Sequence, residues 1–200
     1  MKRFVFLGDS ITDCYHSFDP DNLGEGYVRM IHGKLNSDYE TINCGFDGFT
    51  MPALRRLWKR DGGALKPDFL TILIGINDIG VIQNTGRDSE FALAEFRMQY
   101  QLLIEEIRSS YSCPILLMEP FIFPYPEKYK LWNKDLMVMN QMISDIAQKY
   151  QLEFLPLWEN LLRAAHLSGY ETITTDGIHL TETGHEILAN EWFSSYKKIR

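Results

Sequence analysis

A serine, a histidine and an aspartate in this sequence are candidates for nucleophilic chemistry on an acyl group. Ser10 lies in a Gly-Asp-Ser stretch, and His179 follows Asp176 by three residues. A serine hydroxyl is a weak nucleophile at neutral pH unless a neighbouring base takes its proton, and an imidazole titrates in the required range. A carboxylate in the same loop can hold the other ring nitrogen. These residues therefore predict acyl transfer, with Ser10 as nucleophile, His179 as general base and Asp176 orienting the imidazole.

Acyl transfer also needs hydrogen-bond donors directed at the negative oxygen of the tetrahedral intermediate. The sequence offers the backbone N–H groups of Ser10 and Gly48 and the side-chain amide of Asn77. Gly48 ends an Asn-x-Gly-x-x-Gly stretch, and Asn77 belongs to a Gly-x-Asn-Asp stretch. Each pattern alone is typical of a loop with positive φ angles or of a helix cap. Their occurrence in order along one chain favours a single site.

Short apolar segments alternate with helical patterns and would position these residues. The segments suit strands that are buried on both faces of a parallel sheet. They comprise residues 3–8, 39–43, 69–74, 115–118 and 153–157. Strands alternating with helices imply right-handed crossovers, so we expect an α/β fold, a three-layer sandwich around a parallel sheet of about five strands. The length of 200 residues indicates a single domain over residues 1–200.

Two helix starts are predicted from local signals. A Gly-Tyr-Val-Arg stretch from Gly26 is expected to open the helix between the first two strands. A capping-box pattern, Thr183-x-x-Glu186, predicts the start of the last helix.

Ligands of open parallel sheets bind beyond the carboxyl ends of the strands. The candidate residues follow the apolar segments in the sequence, so we expect them at that edge of the sheet.

Composition restricts the partners. The net charge is -7, and no basic stripe is present, which argues against binding to nucleic acid or to an anionic membrane. The three cysteines are widely spaced, and the histidines form no cluster, so we expect neither a disulfide framework nor a metal or other cofactor. The apolar run at residues 4–7 is shorter than a signal peptide requires, so a cytoplasmic location is predicted.

The motifs resemble those of the SGNH hydrolases, also called the GDSL esterase/lipase family. Its blocks match the stretches that contain Ser10, Gly48, Asn77, and the Asp176–His179 pair, which together extend over nearly the whole chain. The resemblance implies a flavodoxin-like sandwich and hydrolysis of esters or thioesters without a metal. Two departures, Ile11 in place of the usual Leu and Leu180 where many relatives have Pro, remove no chemical group.

Further stretches are similar to those of bacterial carbohydrate acetylesterases, including acetylxylan esterases. They cover residues 8–14, 26–29, 74–78 and 119–121. This second resemblance implies removal of acetyl groups from small-molecule or oligosaccharide esters, and often assembly into homo-oligomers. A lipase or thioesterase that acts on longer acyl chains is the alternative. A non-catalytic sugar-binding protein is disfavoured because all five candidate residues are present.

An aromatic loop at residues 119–133 follows the fourth apolar segment. It carries Phe121, Phe123, Tyr125, Tyr129 and Trp132. Long loops at the active face are often functional, so these rings are candidates for stacking on sugars or lining an acyl pocket. An equally good interpretation is that they cover the core or form a subunit interface.

Overall fold

The computed structural model describes residues 1–199 and contains a parallel five-stranded sheet in the order β2-β1-β3-β4-β5. The strands are β1 (Lys2–Gly8), β2 (Tyr39–Gly45), β3 (Phe69–Leu73), β4 (Ile115–Met118) and β5 (Glu153–Leu155). All five predicted strands are therefore present. The apolar side chains of β3 and β4 are buried throughout, which explains their continuous hydrophobic sequence.

Nine α-helices connect or follow the strands within the described chain. They are α1 (Ser10–Asp13), α2 (Tyr27–Lys34), α3 (Met51–Leu65), α4 (Ile76–Thr85), α5 (Ser89–Ser110), α6 (Asn133–Tyr150), α7 (Trp158–Ser168), α8 (Tyr170–Ile173) and α9 (Glu182–Ile199). Helices α2 and α9 pack together, and α3, α5 and α6 form a second packed group. The predicted three-layer α/β/α sandwich is confirmed.

The core of one layer is an aromatic cluster between α9 and the sheet. Trp192 of α9 contacts the rings of Phe4, Phe6 and Phe69, and its indole N–H donates to Thr71 Oγ1 at 3.0 Å. Phe4 and Phe6 lie two residues apart, so both rings project from the same face of β1. This packing fixes β1, the interior strand that leads into Ser10.

The start of the last helix differs from the capping-box prediction. Helix α9 begins at Glu182, and the N–H of Gly184 donates to the hydroxyl of Thr181 at 3.2 Å. An antiparallel bridge between Thr174 and Leu180 ends the preceding extended segment, so the chain turns into the helix at once. Thr183 therefore lies inside the first turn. The helix predicted from Gly26 is confirmed, since Gly26 directly precedes α2.

Candidate active site

Ser10 opens the short helix α1, which begins just after strand β1. The carboxylate of Asp9 accepts a hydrogen bond from the N–H of Ile11 at 3.1 Å and caps the helix. An aspartate at this position satisfies a backbone donor that the first turn leaves free. The cap holds the turn that presents the Ser10 hydroxyl at the carboxyl edge of the sheet. Asp9 therefore braces the turn.

The structure brings Ser10, His179 and Asp176 together. The Ser10 Oγ lies 2.9 Å from His179 Nε2, and His179 Nδ1 lies 2.7 Å from Asp176 Oδ2. Because a carboxylate only accepts hydrogen bonds, the ring proton is assigned to Nδ1, and Nε2 is left to accept from the serine hydroxyl. This is the arrangement in which an imidazole can activate a hydroxyl.

Asp176 is held as an anion by the loop it belongs to. Its Oδ1 accepts the backbone N–H groups of Ile178 at 2.9 Å and His179 at 2.8 Å. Partial burial acts to raise the pKa of Asp176, but the hydrogen bonds from the His179 ring and from these two N–H groups outweigh it and lower the pKa. A carboxylate with a lowered pKa is suited to stabilise a positive charge on the neighbouring imidazole.

The loop around His179 depends on Gly177. Its φ of 95° lies in the left-handed region, and an added Cβ would lie 2.1 Å from the carbonyl oxygen of Tyr125. The N–H of Phe123 donates to the Gly177 carbonyl at 2.9 Å. The aromatic loop therefore supports the Asp176–His179 loop through its backbone, at a position where only glycine fits without strain.

Gly48 and Asn77 line the same cleft. Gly48 lies in the loop after β2, and Asn77 lies in the first turn of α4, after β3. Gly48 has a φ of 70°, a conformation that favours glycine. The Asn77 Nδ2 donates one hydrogen to the carbonyl of Phe49 at 3.0 Å, which fixes the amide and leaves its second hydrogen available. Both residues line one cleft, as is required of two donors that would serve the same carbonyl oxygen.

Asp13 supports the loop that carries Gly48, a role that sequence reasoning did not assign. Its Oδ2 accepts the N–H of Asp47 at 3.1 Å, while Oδ1 accepts from the Nδ1 of His16 at 2.6 Å. The His16 ring packs edge-on against Phe46 at 5.5 Å. The Asp13-x-x-His16 spacing, the same as Asp176-x-x-His179, was the available signal.

His185 lies behind the site as a neutral residue. Its Nδ1 accepts the N–H of Tyr27 at 3.2 Å, and its Nε2 lies 3.6 Å from Cys14 Sγ. Burial, and secondarily the charge of His179, lower the pKa of His185 to about 4. It is therefore uncharged at neutral pH and packs beside the site without competing for its proton.

Two clefts adjoin the candidate residues. The serine cleft, of about 520 Å³, is lined by Ser10, Tyr15, Phe18, Asp47, Asp176 and His179 among others. The asparagine cleft, of about 450 Å³, is lined by residues that include Gly48, Asn77, Tyr129, Trp132 and Ile178. The imidazole thus faces one cleft, and the two additional donor candidates face the other.

Some rings of the aromatic loop cover the core and others line a cleft, so each of the two interpretations of its sequence holds for part of the loop. Phe121 and Phe123 are fully buried and belong to the core. Tyr129 and Trp132 are largely buried but form a wall of the asparagine cleft. Tyr125 is exposed and stacks on Tyr170, with ring centroids 5.8 Å apart. The loop therefore covers the core with one end and shapes the site with the other.

Two carboxyl groups, the buried Asp9 and the partly buried Asp78, directly adjoin the donor candidates Ser10 and Asn77 in sequence. Burial is the main cause that raises the pKa of each to about 7, and the Asp9 carboxylate adds to the shift of Asp78. Both Asp78 oxygens lie within hydrogen-bond distance of the N–H of Met51, at 3.2 and 3.0 Å. The folded protein therefore binds protons near neutral pH that the unfolded chain, with ordinary aspartate pKa values, has released.

We expect this pair to make stability fall as the pH rises from about 4 to about 7, because the native state binds more protons than the unfolded state across that window. The Asp78→Asn variant should reduce the fall, since its amide oxygen still accepts from Met51 without ionising. A gain of about 1–2 kcal/mol at pH 8 and little change at pH 4 is expected. Urea unfolding at both pH values measures it. An equal change at both would show that Asp78 does not titrate in this window.

A serine–histidine–aspartate array at the carboxyl edge of a parallel sheet in an α/β/α sandwich defines a serine hydrolase. The family model for GDSL-like lipases and acylhydrolases matches residues 6–187. The chain belongs to this family, and it is an enzyme that hydrolyses ester bonds.

Known relatives with this fold include acetylxylan esterases. One from Geobacillus stearothermophilus is 26% identical over 200 residues, which cover 94% of this chain and 90% of that protein. Another, from Xylanibacter ruminicola, is also 26% identical, but the match spans only 41% of its length. A crystal structure of a catalytic mutant of a Geobacillus stearothermophilus acetylxylan esterase matches with a TM-score of 0.85 at 25% identity, covering 97% of this chain and 93% of that one.

Within residues 1–199, no group of three or more histidine, cysteine or carboxylate side chains is arranged to hold a metal ion. None of the helices in that range is both long and apolar enough to span a bilayer.

Proposed function

We propose that the protein removes acetyl groups from carbohydrate, with Ser10 as nucleophile, His179 as general base and acid, and Asp176 as the residue that orients His179. The observation that carries the catalytic part is the 2.9 Å contact between Ser10 Oγ and His179 Nε2. The carbohydrate part is supported by the acetylxylan esterases that match nearly the whole chain.

In this mechanism the Ser10 oxygen attacks the ester carbonyl while His179 takes the hydroxyl proton. The carbonyl π electrons move onto its oxygen, which accepts hydrogen bonds from the N–H groups of Ser10 and Gly48 and from the Asn77 amide. Collapse of the tetrahedral intermediate breaks the bond to the alcohol oxygen, and His179 returns the proton to it. Water then attacks the acyl carbon while His179 takes one of its protons. Collapse of this second intermediate breaks the bond to Ser10 Oγ, His179 returns the proton to that oxygen, and acetate leaves.

Charge in the serine cleft supports a neutral leaving group. Asp13, Asp47 and Asp176 all line it, and the chain has a net charge of -7. A leaving group with phosphates, such as coenzyme A, would meet like charges there, whereas sugar hydroxyls can donate to carboxylates.

A cytoplasmic location and assembly into homo-oligomers stay predictions.

We expect acetate to be the preferred acyl group, with kcat/KM at least tenfold higher for p-nitrophenyl acetate than for the octanoate ester. Initial rates on the acetate, butyrate and octanoate esters, with the Ser10→Ala protein as blank, test acyl length. Acetylated methyl β-xyloside, assayed by acetate release, tests the carbohydrate part. A preference for octanoate would favour a lipase or thioesterase that uses the asparagine cleft for a longer chain. No rate above the blank on any ester would contradict catalysis altogether.

A further inference from the structure

Two exposed aromatic residues border the serine cleft. Tyr15 is 68% exposed and Phe18 is 88% exposed, and both line the cleft that contains Ser10 and His179. Large aromatic side chains bury much of their surface in most proteins, and exposed ones at the rim of a cleft mark binding sites. They lie in the segment after α1 and take no part in the hydrogen bonds of the catalytic array.

The backbone around these rings is held in an unusual conformation. Cys14 and Tyr15 have φ angles of 41° and 64°, two consecutive left-handed residues that are not glycine. Such conformations are energetically unfavourable and persist only where the surroundings enforce them, often at ligand sites. The N–H of Phe18 donates to the Tyr15 carbonyl at 3.0 Å, so one tight turn presents both rings.

Partly buried polar contacts fix the backbone of this turn. Asp13 accepts from both the backbone N–H and the ring of His16, at 3.1 and 2.6 Å. On the far side of the turn, Asp19 accepts from the N–H of Leu23 at 2.8 Å and from Arg29 Nη2 at 2.5 Å. The backbone that carries the exposed rings is therefore anchored, which lowers the entropy lost in ordering this segment when a ligand binds.

The direction of proton transfer indicates which part of the substrate would contact Tyr15 and Phe18. His179 must deliver its proton to the oxygen of the departing alcohol, so the alcohol lies on the imidazole side of the ester. His179 lines the serine cleft, whereas Gly48 and Asn77 line the asparagine cleft. The alcohol part of the substrate therefore occupies the serine cleft, beside Tyr15 and Phe18.

We propose that Tyr15 and Phe18 form an aromatic platform on which a pyranose ring of the leaving sugar stacks. This rests on the proposed carbohydrate deacetylation and adds the residues that select the alcohol. The ring faces of a pyranose carry C–H groups that pack against aromatic faces, while its hydroxyls point outward to the carboxylates of the cleft. The platform is a specificity element and does not touch the reacting atoms.

The test compares an ester whose alcohol has a ring with one whose alcohol has none. Wild type, Tyr15→Ala, Phe18→Ala and the double variant are assayed for acetate release from acetylated methyl β-xyloside and from ethyl acetate. Each single variant should lower kcat/KM on the xyloside about tenfold, mainly through KM, and leave ethyl acetate hydrolysis within about twofold. Tyr15→Phe should retain wild-type activity on both. Phe91→Ala, which removes a 65% exposed ring on α5, is the matched control.

The outcomes distinguish failure of the aromatic platform from failure of the proposed function. If wild type hydrolyses both esters and the alanine variants leave their ratio unchanged, the platform is wrong while deacetylation stands. Equal losses on both esters would show that the turn only positions the catalytic residues, and would also overturn it. If wild type cleaves ethyl acetate but not the xyloside, the carbohydrate function fails and the platform with it. Sedimentation of the same variants tests whether the rings form a subunit interface instead. A wild-type dimer that becomes monomeric in Tyr15→Ala would assign the rings to that interface and overturn the platform.

Discussion

The Ser10→Ala variant is expected to lose ester hydrolysis, with kcat falling by about 10⁴–10⁶-fold. In the proposed mechanism, the hydroxyl that lies 2.9 Å from His179 Nε2 forms the covalent bond to the acyl carbon, and alanine offers nothing in its place. A residual rate above the uncatalysed reaction should remain, because the donors around the carbonyl oxygen are untouched. Acetate release from p-nitrophenyl acetate and from acetylated xyloside measures the loss.

The fold should survive this substitution. Ser10 contributes one hydrogen bond in an exposed site, so the free energy of unfolding should change by less than about 1 kcal/mol. Ser37→Ala, at an exposed turn before β2, is the matched control and should retain full activity. A Ser10→Ala protein that stays folded and keeps comparable activity would show that another residue is the nucleophile. A mass increase of one acyl group on Ser10 in the wild type during turnover would identify the intermediate directly.

The sheet was predictable because its signals are local. Residues 115–118 form β4 as expected, since a short apolar run lies between Pro114 and the Glu119-Pro120 stretch. The ends of other strands depend on partners. Strand β2 continues to Gly45 because Cys44 and Gly45 pair with Leu7 and Gly8 of β1, a contact that no local pattern contains.

The candidate site was predictable from the ordered motifs, whereas its setting was not. Ser10 and His179 lie 169 residues apart and meet only because both follow elements at the same edge of the sheet. The turn at Cys14 and Tyr15 escaped prediction because neither residue type favours a left-handed conformation, and the long-range contact from Asp13 to Asp47 N–H helps to hold it. Tertiary contacts outweigh local propensity in this segment.

Tertiary contacts also determine which rings of the aromatic loop lie in the core and which line the cleft. Phe121, Tyr129 and Trp132 are equivalent in a hydrophobicity pattern, yet Phe121 is fully buried and the other two form a wall of the asparagine cleft. The start of the loop is held by a tertiary contact that no hydrophobicity pattern contains, the hydrogen bond from Phe123 N–H to the Gly177 carbonyl in the histidine loop. Sequence spacing identified the long aromatic loop but could not assign its individual rings to the core or to the cleft.

The Asn77→Ala variant should lower kcat by about 10²–10³-fold while KM changes by less than about threefold. The Asn77 amide is fixed by its hydrogen bond to the Phe49 carbonyl at 3.0 Å, and its second hydrogen is free to meet an oxygen that becomes negative only as the transition state forms. An interaction of that kind contributes little to binding of the neutral ester, so its loss appears in kcat.

Two variants separate loss of a donor from loss of packing at this position. Asn77→Asp keeps the shape of the side chain but replaces the donor by an acceptor, and it should reduce kcat at least as much as alanine does. Asn84→Ala, an exposed residue that lines the same cleft on α4, should leave kcat within about twofold of wild type. Steady-state kinetics on p-nitrophenyl acetate give both parameters. A raised KM with an unchanged kcat in Asn77→Ala would mean that the amide binds the ground-state substrate, and the negative oxygen would then depend on the Ser10 and Gly48 backbone donors alone.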